Sequence, residues 1–187
     1  MSFLSLAEKR RSVRKYADRD VPREVLDRCI ESARLAPSAN NCQPWNFIIV
    51  DDPALRGQIA RATFSAVVGF NRFTLQARAF AVVVTEKPNL ITQIGESIKN
   101  LQYNLLDVGA AVENFCLQAA DDELGTCILG WFDEKKIKEF LGVPKKKRIS
   151  LVVSIGYPAD AGGEKKRKSR DRMSSYNRYF EDRGAEA

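Results

Sequence analysis

The stretch KNLQYNLLDVGAAVENFCLQAADDE, residues 99–123, reads as one long helix that is apolar on nearly all sides. Leu101, Leu105, Val108, Val112, Phe115 and Ala119 mark one face. Leu106, Gly109, Ala110, Val112, Cys116 and Leu117 mark a second. A helix of this kind must be covered on more than one side. Gly109, Ala110 and Ala111 are small enough to admit another helix closely. A large core within one chain can supply the second cover, and so can a subunit interface; the interface is the preferred reading.

The flanking segments supply the rest of the core. Downstream, Gly125 to Leu129 is a short strand, and Asp133 caps a helix whose Ile137, Phe140 and Leu141 face inward. Gly142 and Pro144 stop that helix, and Ile149 to Ile155 is the strongest strand signal in the chain. Upstream, Ala79 to Thr85 is a buried strand, while Phe64 to Arg78 has no clear period. A helix starts at Asp52-Pro53 and runs to about Ala62, after a strand from Phe47 to Val50. Another begins near Pro22, carries Val25, Leu26, Cys29, Ile30 and Ala33 on one face, and ends at Ala36 because Pro37 disfavours helix there. Ser2 to about Lys9 reads as a short helix with Phe3, Leu4, Leu6 and Ala7 turned inward. Strands separated by helices indicate mixed α and β layers in a single domain over residues 1–187. The charged, basic segment from about Glu164 is the one compositional break.

Composition narrows the chemistry. The 30 basic residues against 24 acidic give a net charge of +6, which suits an anionic small molecule without demanding nucleic acid. There are no histidines, so the commonest general acid/base and metal ligand is missing. Chemistry must come from other groups or from a cofactor. Cys29, Cys42, Cys116 and Cys127 lie far apart, as reduced thiols of a cytoplasmic protein rather than a metal site. No signal peptide is read at the N-terminus, and no apolar run approaches a membrane span.

Two phrases make poor sense as packing. Arg10-Arg11-Ser12-Val13-Arg14 clusters three guanidinium groups around a hydroxyl. Guanidinium forks bind phosphate bidentately, although for the cluster taken alone a solvated basic helix end is the more ordinary use. The loop Ala36-Pro37-Ser38-Ala39-Asn40-Asn41-Cys42-Gln43-Pro44-Trp45 offers directional amide and hydroxyl groups around an apolar body, with Trp45 as a core anchor. A planar ring with a polar edge would satisfy it.

With these phrases the sequence resembles the FMN-dependent nitroreductase family. The resemblance continues through Asp107 to Phe115, Leu124 to Phe132, Gly156-Tyr157-Pro158 and Lys165-Lys166-Arg167, in order along nearly the whole chain. It implies an α+β, three-layer fold in which helices flank a central mixed sheet, and a homodimer with FMN at the interface. By position, Arg10, Arg11, Ser12 and Arg14 would hold the phosphate, ribityl chain and ring O2 side. Pro37, Ser38, Ala39 and Asn41 would approach the flavin from the other subunit. Leu129 and Gly130 would lie near the redox nitrogen, Asn71 at the ring edge, and Lys165 and Arg167 on the phosphate. Arg78 either reaches the cofactor or is exposed. Tyr176, Tyr179 and Phe180 would pack across the dimer.

The resemblance implies hydride transfer from NADH or NADPH to the flavin and then reduction of a nitroaromatic, quinone or similar small-molecule acceptor, by ping-pong kinetics. No side chain is singled out as catalytic. Other readings are a dehalogenase-like or flavin-fragmenting reaction, or flavin binding without nitroreductase turnover. A nucleic-acid module built on Lys145 to Arg148 and Lys165 to Arg172 is weakened because no stacking aromatics are interleaved.

Overall fold

The computed structural model describes residues 2–67 and 69–179, with Glu96 described by its backbone alone. Phe180 lies outside them. The elements are α1 (Phe3–Lys9), α2 (Arg23–Arg34), β1 (Trp45–Val50), α3 (Pro53–Ala62), β2 (Ala79–Thr85), α4 (Leu90–Lys99), α5 (Tyr103–Asp121), β3 (Gly125–Leu129), α6 (Glu134–Leu141) and β4 (Arg148–Gly156).

The strands form one sheet in the order β1-β2-β4-β3, each neighbour antiparallel. The parallel component is a bridge between Ser12 and Thr126, which lays the N-terminal segment against β3. Every residue of β2 is buried, as expected of a central strand covered on both faces. Its side chains divide with period two. Ala79, Ala81 and Val83 join α2 and α5, while Phe80, Val82 and Val84 join α3 and α6. Three layers follow directly from that alternation. In β4 the register slips opposite Val83 and Val84, so Ile149 and Val152 reach the same face although they are not an even number apart.

Local signals end the helices where the sequence places them. Asp52 accepts the Leu55 N–H at 2.9 Å and Asp133 the Lys136 N–H at 3.1 Å. Gly142 closes α6 in the left-handed region at φ 65°. Ser32 Oγ donates to the Asn114 carbonyl at 3.1 Å and Asn114 Nδ2 to the Ser32 carbonyl at 3.3 Å, tying α2 to α5.

Three expectations change. The long helix begins at Tyr103, not near Lys99, because Asn100 takes a left-handed conformation (φ 48°) and separates a distinct helix, α4. Leu101 lies in that break and is exposed. Phe3 and Leu4 of α1 are also exposed instead of turned inward. The segment without a period resolves into a short helical turn, Arg72–Gln76, anchored by buried Thr74. Among the described residues no helix is long and apolar enough to cross a membrane.

Candidate functional site

The Arg10–Arg14 segment is fixed by the sheet edge. Val13 N–H donates to the Thr126 carbonyl at 2.8 Å, and Ala17 N–H to the Tyr157 carbonyl at 2.8 Å. Tyr16 is buried, its hydroxyl 2.8 Å from Ser154 Oγ and 3.0 Å from the Val13 carbonyl. Burial holds that phenol above its ordinary range, so it remains a neutral hydrogen-bonding group. Two glycines allow this close approach. A Cβ on Gly125 would stand 2.6 Å from Val13 Cγ2, and one on Gly156 would stand 2.9 Å from the Tyr16 ring. Gly125→Ala is therefore expected to cost about 1–3 kcal/mol, read as a lowered urea midpoint. Gly130→Ala, whose Cβ would meet nothing within 4 Å, is the control and should leave the midpoint in place.

This segment and the chain near Lys165 enclose a cleft of about 470 Å³, lined by Arg10, Arg11, Ser12, Arg14, Lys165 and Arg167 among others. Arg10 Nε lies 3.0 Å from Glu113 Oε1. Lys165 Nζ donates to the Ala7 and Arg10 carbonyls at 2.6 and 2.8 Å, pinning the cleft wall to the end of α1. Its pKa is lowered by burial and then by the neighbouring Arg10 and Arg167 charges. Gly162, in the left-handed region at φ 63°, leaves room for Arg11: a Cβ there would stand 2.5 Å from its Nη1. Arg23, Arg28, Arg34 and Arg78 each pair with a carboxylate. Among the described residues none pairs with Arg11, Arg14 or Arg167. Unneutralised guanidinium groups concentrated at one cleft suit a phosphate dianion.

A second cleft of about 300 Å³ adjoins the first through Arg14, which lines both. Its walls include Phe70, Asn71, Leu129, Gly130 and Trp131. Asn71 is buried, and its Nδ2 donates to the Thr63 and Trp131 carbonyls at 3.1 and 3.2 Å. Phe70 and Trp131 meet edge-on with ring centroids 6.5 Å apart. The open space over Gly130, where a Cβ would touch nothing, leaves a floor that a planar ring can approach. Cation cluster, shared Arg14, fixed amide and open glycine together fit the phosphate and ring of FMN.

Pro37, Ser38, Ala39 and Asn41 line neither cleft. They lie in a loop of unusual backbone, with φ 50° at Asn40, 53° at Asn41 and 47° at Gln43. Asn tolerates this region better than Gln does, so the surrounding structure must hold the loop. Ser38 Oγ accepts the Gln43 N–H at 2.9 Å. The Asp107 carboxylate accepts the Ala39 N–H at 3.1 and 3.2 Å. Thr92 Oγ1 accepts Asn40 Nδ2 at 2.9 Å. Neither Asp107 nor Thr92 stands out in the sequence as a site residue. The signals for Asp107 are its isolation as an acid in the early turns of an apolar helix and its place at the start of the stretch from Asp107 to Phe115 that carries the resemblance.

The remaining candidates have other uses. Arg78 is partly buried and lines neither cleft: it pairs with Asp18 and lies 3.7 Å from Asp20. Lys147 pairs with Glu86, and Arg148 lies 3.5 Å from Glu134. Trp45 is partly buried against the main core. Burial pushes the Cys29 thiol up to about 12 and Cys116 to about 11, so neither is a ready nucleophile. Tyr176 and Tyr179 are exposed.

Comparison with known proteins agrees with this geometry. A model of the nitroreductase family matches residues 7–157. An iodotyrosine deiodinase of Thermotoga neapolitana is 30% identical, covering 83% of this chain and 88% of its own. An NADH dehydrogenase of Thermus thermophilus is also 30% identical, covering 83% and 86%. The solved structure of an FMN-dependent nitroreductase of Clostridium difficile superposes with a TM-score of 0.73 at 26% identity, covering 95% of this chain and all of that one (100%).

Proposed function

The chain belongs to the nitroreductase family, and on that premise we propose that it is an FMN-dependent NAD(P)H oxidoreductase working as a homodimer. The observation that carries this reading is Arg14, a guanidinium that pairs with no carboxylate among the described residues and is shared by a phosphate-sized cationic cleft and a ring-sized one. When bound, FMN would take hydride from NADH or NADPH and pass electrons to a nitroaromatic, quinone or similar electron-poor acceptor.

The chain's own residues bind and orient. Arg10, Arg11, Lys165 and Arg167 hold the phosphate, with Ser12 beside the ribityl chain. Arg14 places a fixed cation at the N1–O2 edge, where it stabilises negative charge. Asn71, whose amide hydrogens are committed to the Thr63 and Trp131 carbonyls, would turn its side-chain oxygen to the ring edge, and Leu129 and Gly130 would lie by the ring near its redox nitrogen. Pro37, Ser38, Ala39 and Asn41 complete the site from the second copy, which explains why they line neither cleft of their own chain. Residues 1–187 act as one domain. The basic segment serves the phosphate and not a nucleic acid, and the free thiols accord with a cytoplasmic setting.

The test is the visible spectrum of protein supplemented with FMN and desalted. A retained flavin band that bleaches on adding NADH or NADPH, followed by parallel-line kinetics with a nitroaromatic, is the expected result. A colourless protein defeats the proposal. The likeness to an iodotyrosine deiodinase favours reductive dehalogenation as a second reading. Iodide release from an iodinated phenol, with no nitroaromatic turnover, would select it.

A further inference from the structure

We propose that Thr92 is a positioning residue for the flavin-facing loop; the role rests on the reading above that Asn41 meets the flavin. Thr92 sits in the first turn of α4, and the pattern of that helix is inverted. Its aliphatic residues Leu90, Ile91, Ile94 and Ile98 are exposed, while Thr92 is 1% exposed. Hydrophobic burial within one chain would not turn a hydroxyl inward and four aliphatic side chains outward.

The hydroxyl is occupied. Thr92 Oγ1 accepts Asn40 Nδ2 at 2.9 Å and lies 3.0 Å from Cys42 Sγ. One buried oxygen thus tethers the residues on both sides of Asn41, itself held at φ 53°. Thr92 N–H donates to Asn89 Oδ1 at 3.0 Å, which fixes the helix start. Asp107 fixes Ala39 from α5. The loop is therefore stretched between two helices. Displacing α4 moves the backbone around Asn41 through Thr92.

Cys42 reports on this tether without any turnover, because Cys29, Cys116 and Cys127 are buried and Cys42 is not. The experiment measures iodoacetamide alkylation by mass spectrometry, with and without FMN, beside an FMN titration. Thr92→Val should raise Cys42 alkylation about fivefold and weaken FMN about fivefold, with the other three thiols still protected. Thr92→Ser should restore both to about wild type. Asn40→Ala, which removes one arm from an exposed position, should move both readouts in the same direction if the valine variant folds poorly. Unchanged alkylation and FMN affinity in Thr92→Val and Asn40→Ala, or a serine variant no better than valine, overturns the tether. FMN that fails to bind wild-type protein overturns the functional reading instead, and alkylation still decides the tether.

Discussion

Arg14→Ala is expected to lose FMN on desalting, with affinity weakened about 10- to 100-fold, while the apoprotein keeps its unfolding midpoint. The affinity loss follows from removing charge-assisted hydrogen bonds to an anionic ligand, worth about 1.5–3 kcal/mol. The retained stability follows from where Arg14 stands. Its side chain is exposed and pairs with no carboxylate among the described residues, so truncation leaves neither a cavity nor an orphaned partner. Its backbone is held by neighbours: Val13 on Thr126 and Tyr16 on Ser154. The flavin still bound at saturating FMN should have a lower reduction potential, by about 30–60 mV for two electrons, because the cation proposed for the N1–O2 edge is gone. Arg14→Lys keeps charge but loses the planar fork, and should fall between. Potential and retention both unchanged in the alanine variant would remove Arg14 from the site.

The ease of reading different parts of this molecule has a physical origin. β2 and β4 were legible because each is an apolar run flanked by breakers, and burial on both faces leaves no alternative for such runs. The caps at Asp52, Asp133 and Gly142 were legible because capping is local chemistry. α4 was not legible: its aliphatic residues at 90, 91, 94 and 98 point away from the chain's own core, so they join no pattern that the neighbouring strands complete. The inward turn of Phe3 and Leu4 failed for the same reason. Among the candidate site residues, the arginine cluster announces itself as a short phrase, whereas Leu129 and Gly130 enter only through the resemblance of the stretch from Leu124 to Phe132. Thr92 and Asp107 do not announce themselves, because they act on a loop fifty or more residues away through one hydroxyl and one carboxylate. Arg78 was undecidable because an arginine at a strand start does not reveal whether Asp18 and Asp20 fold back on it.

Replacing Leu105 and Leu106 together with glutamate is expected to give a folded monomer that retains no FMN. Within a single chain these side chains are 45% and 58% exposed, and Leu101 is 42% exposed. Gly109, one turn on, has nothing within 4 Å of where a Cβ would stand. Single exposed leucines are ordinary, but a helix whose other face fills the core and whose outer face is also apolar marks an interaction surface. Glutamate at these positions meets water in the monomer, so the chain should fold, as followed by its circular dichroism and urea midpoint. In a symmetric dimer each substitution counts twice. Forgoing burial of a leucine costs about 1.5–3 kcal/mol, and desolvating an unpaired carboxylate costs more. Dimerisation should therefore weaken by at least about a thousandfold, enough for sedimentation to show a monomer at micromolar concentration. Flavin retention should fail with it, although Arg14, Asn71 and Gly130 are untouched, because in the proposed site Pro37 to Asn41 are supplied by the second copy. A variant that stays dimeric would show that α5 is covered in some other way. A monomer that keeps its FMN would show that each chain holds the cofactor alone, and the division of the site between two copies would be wrong.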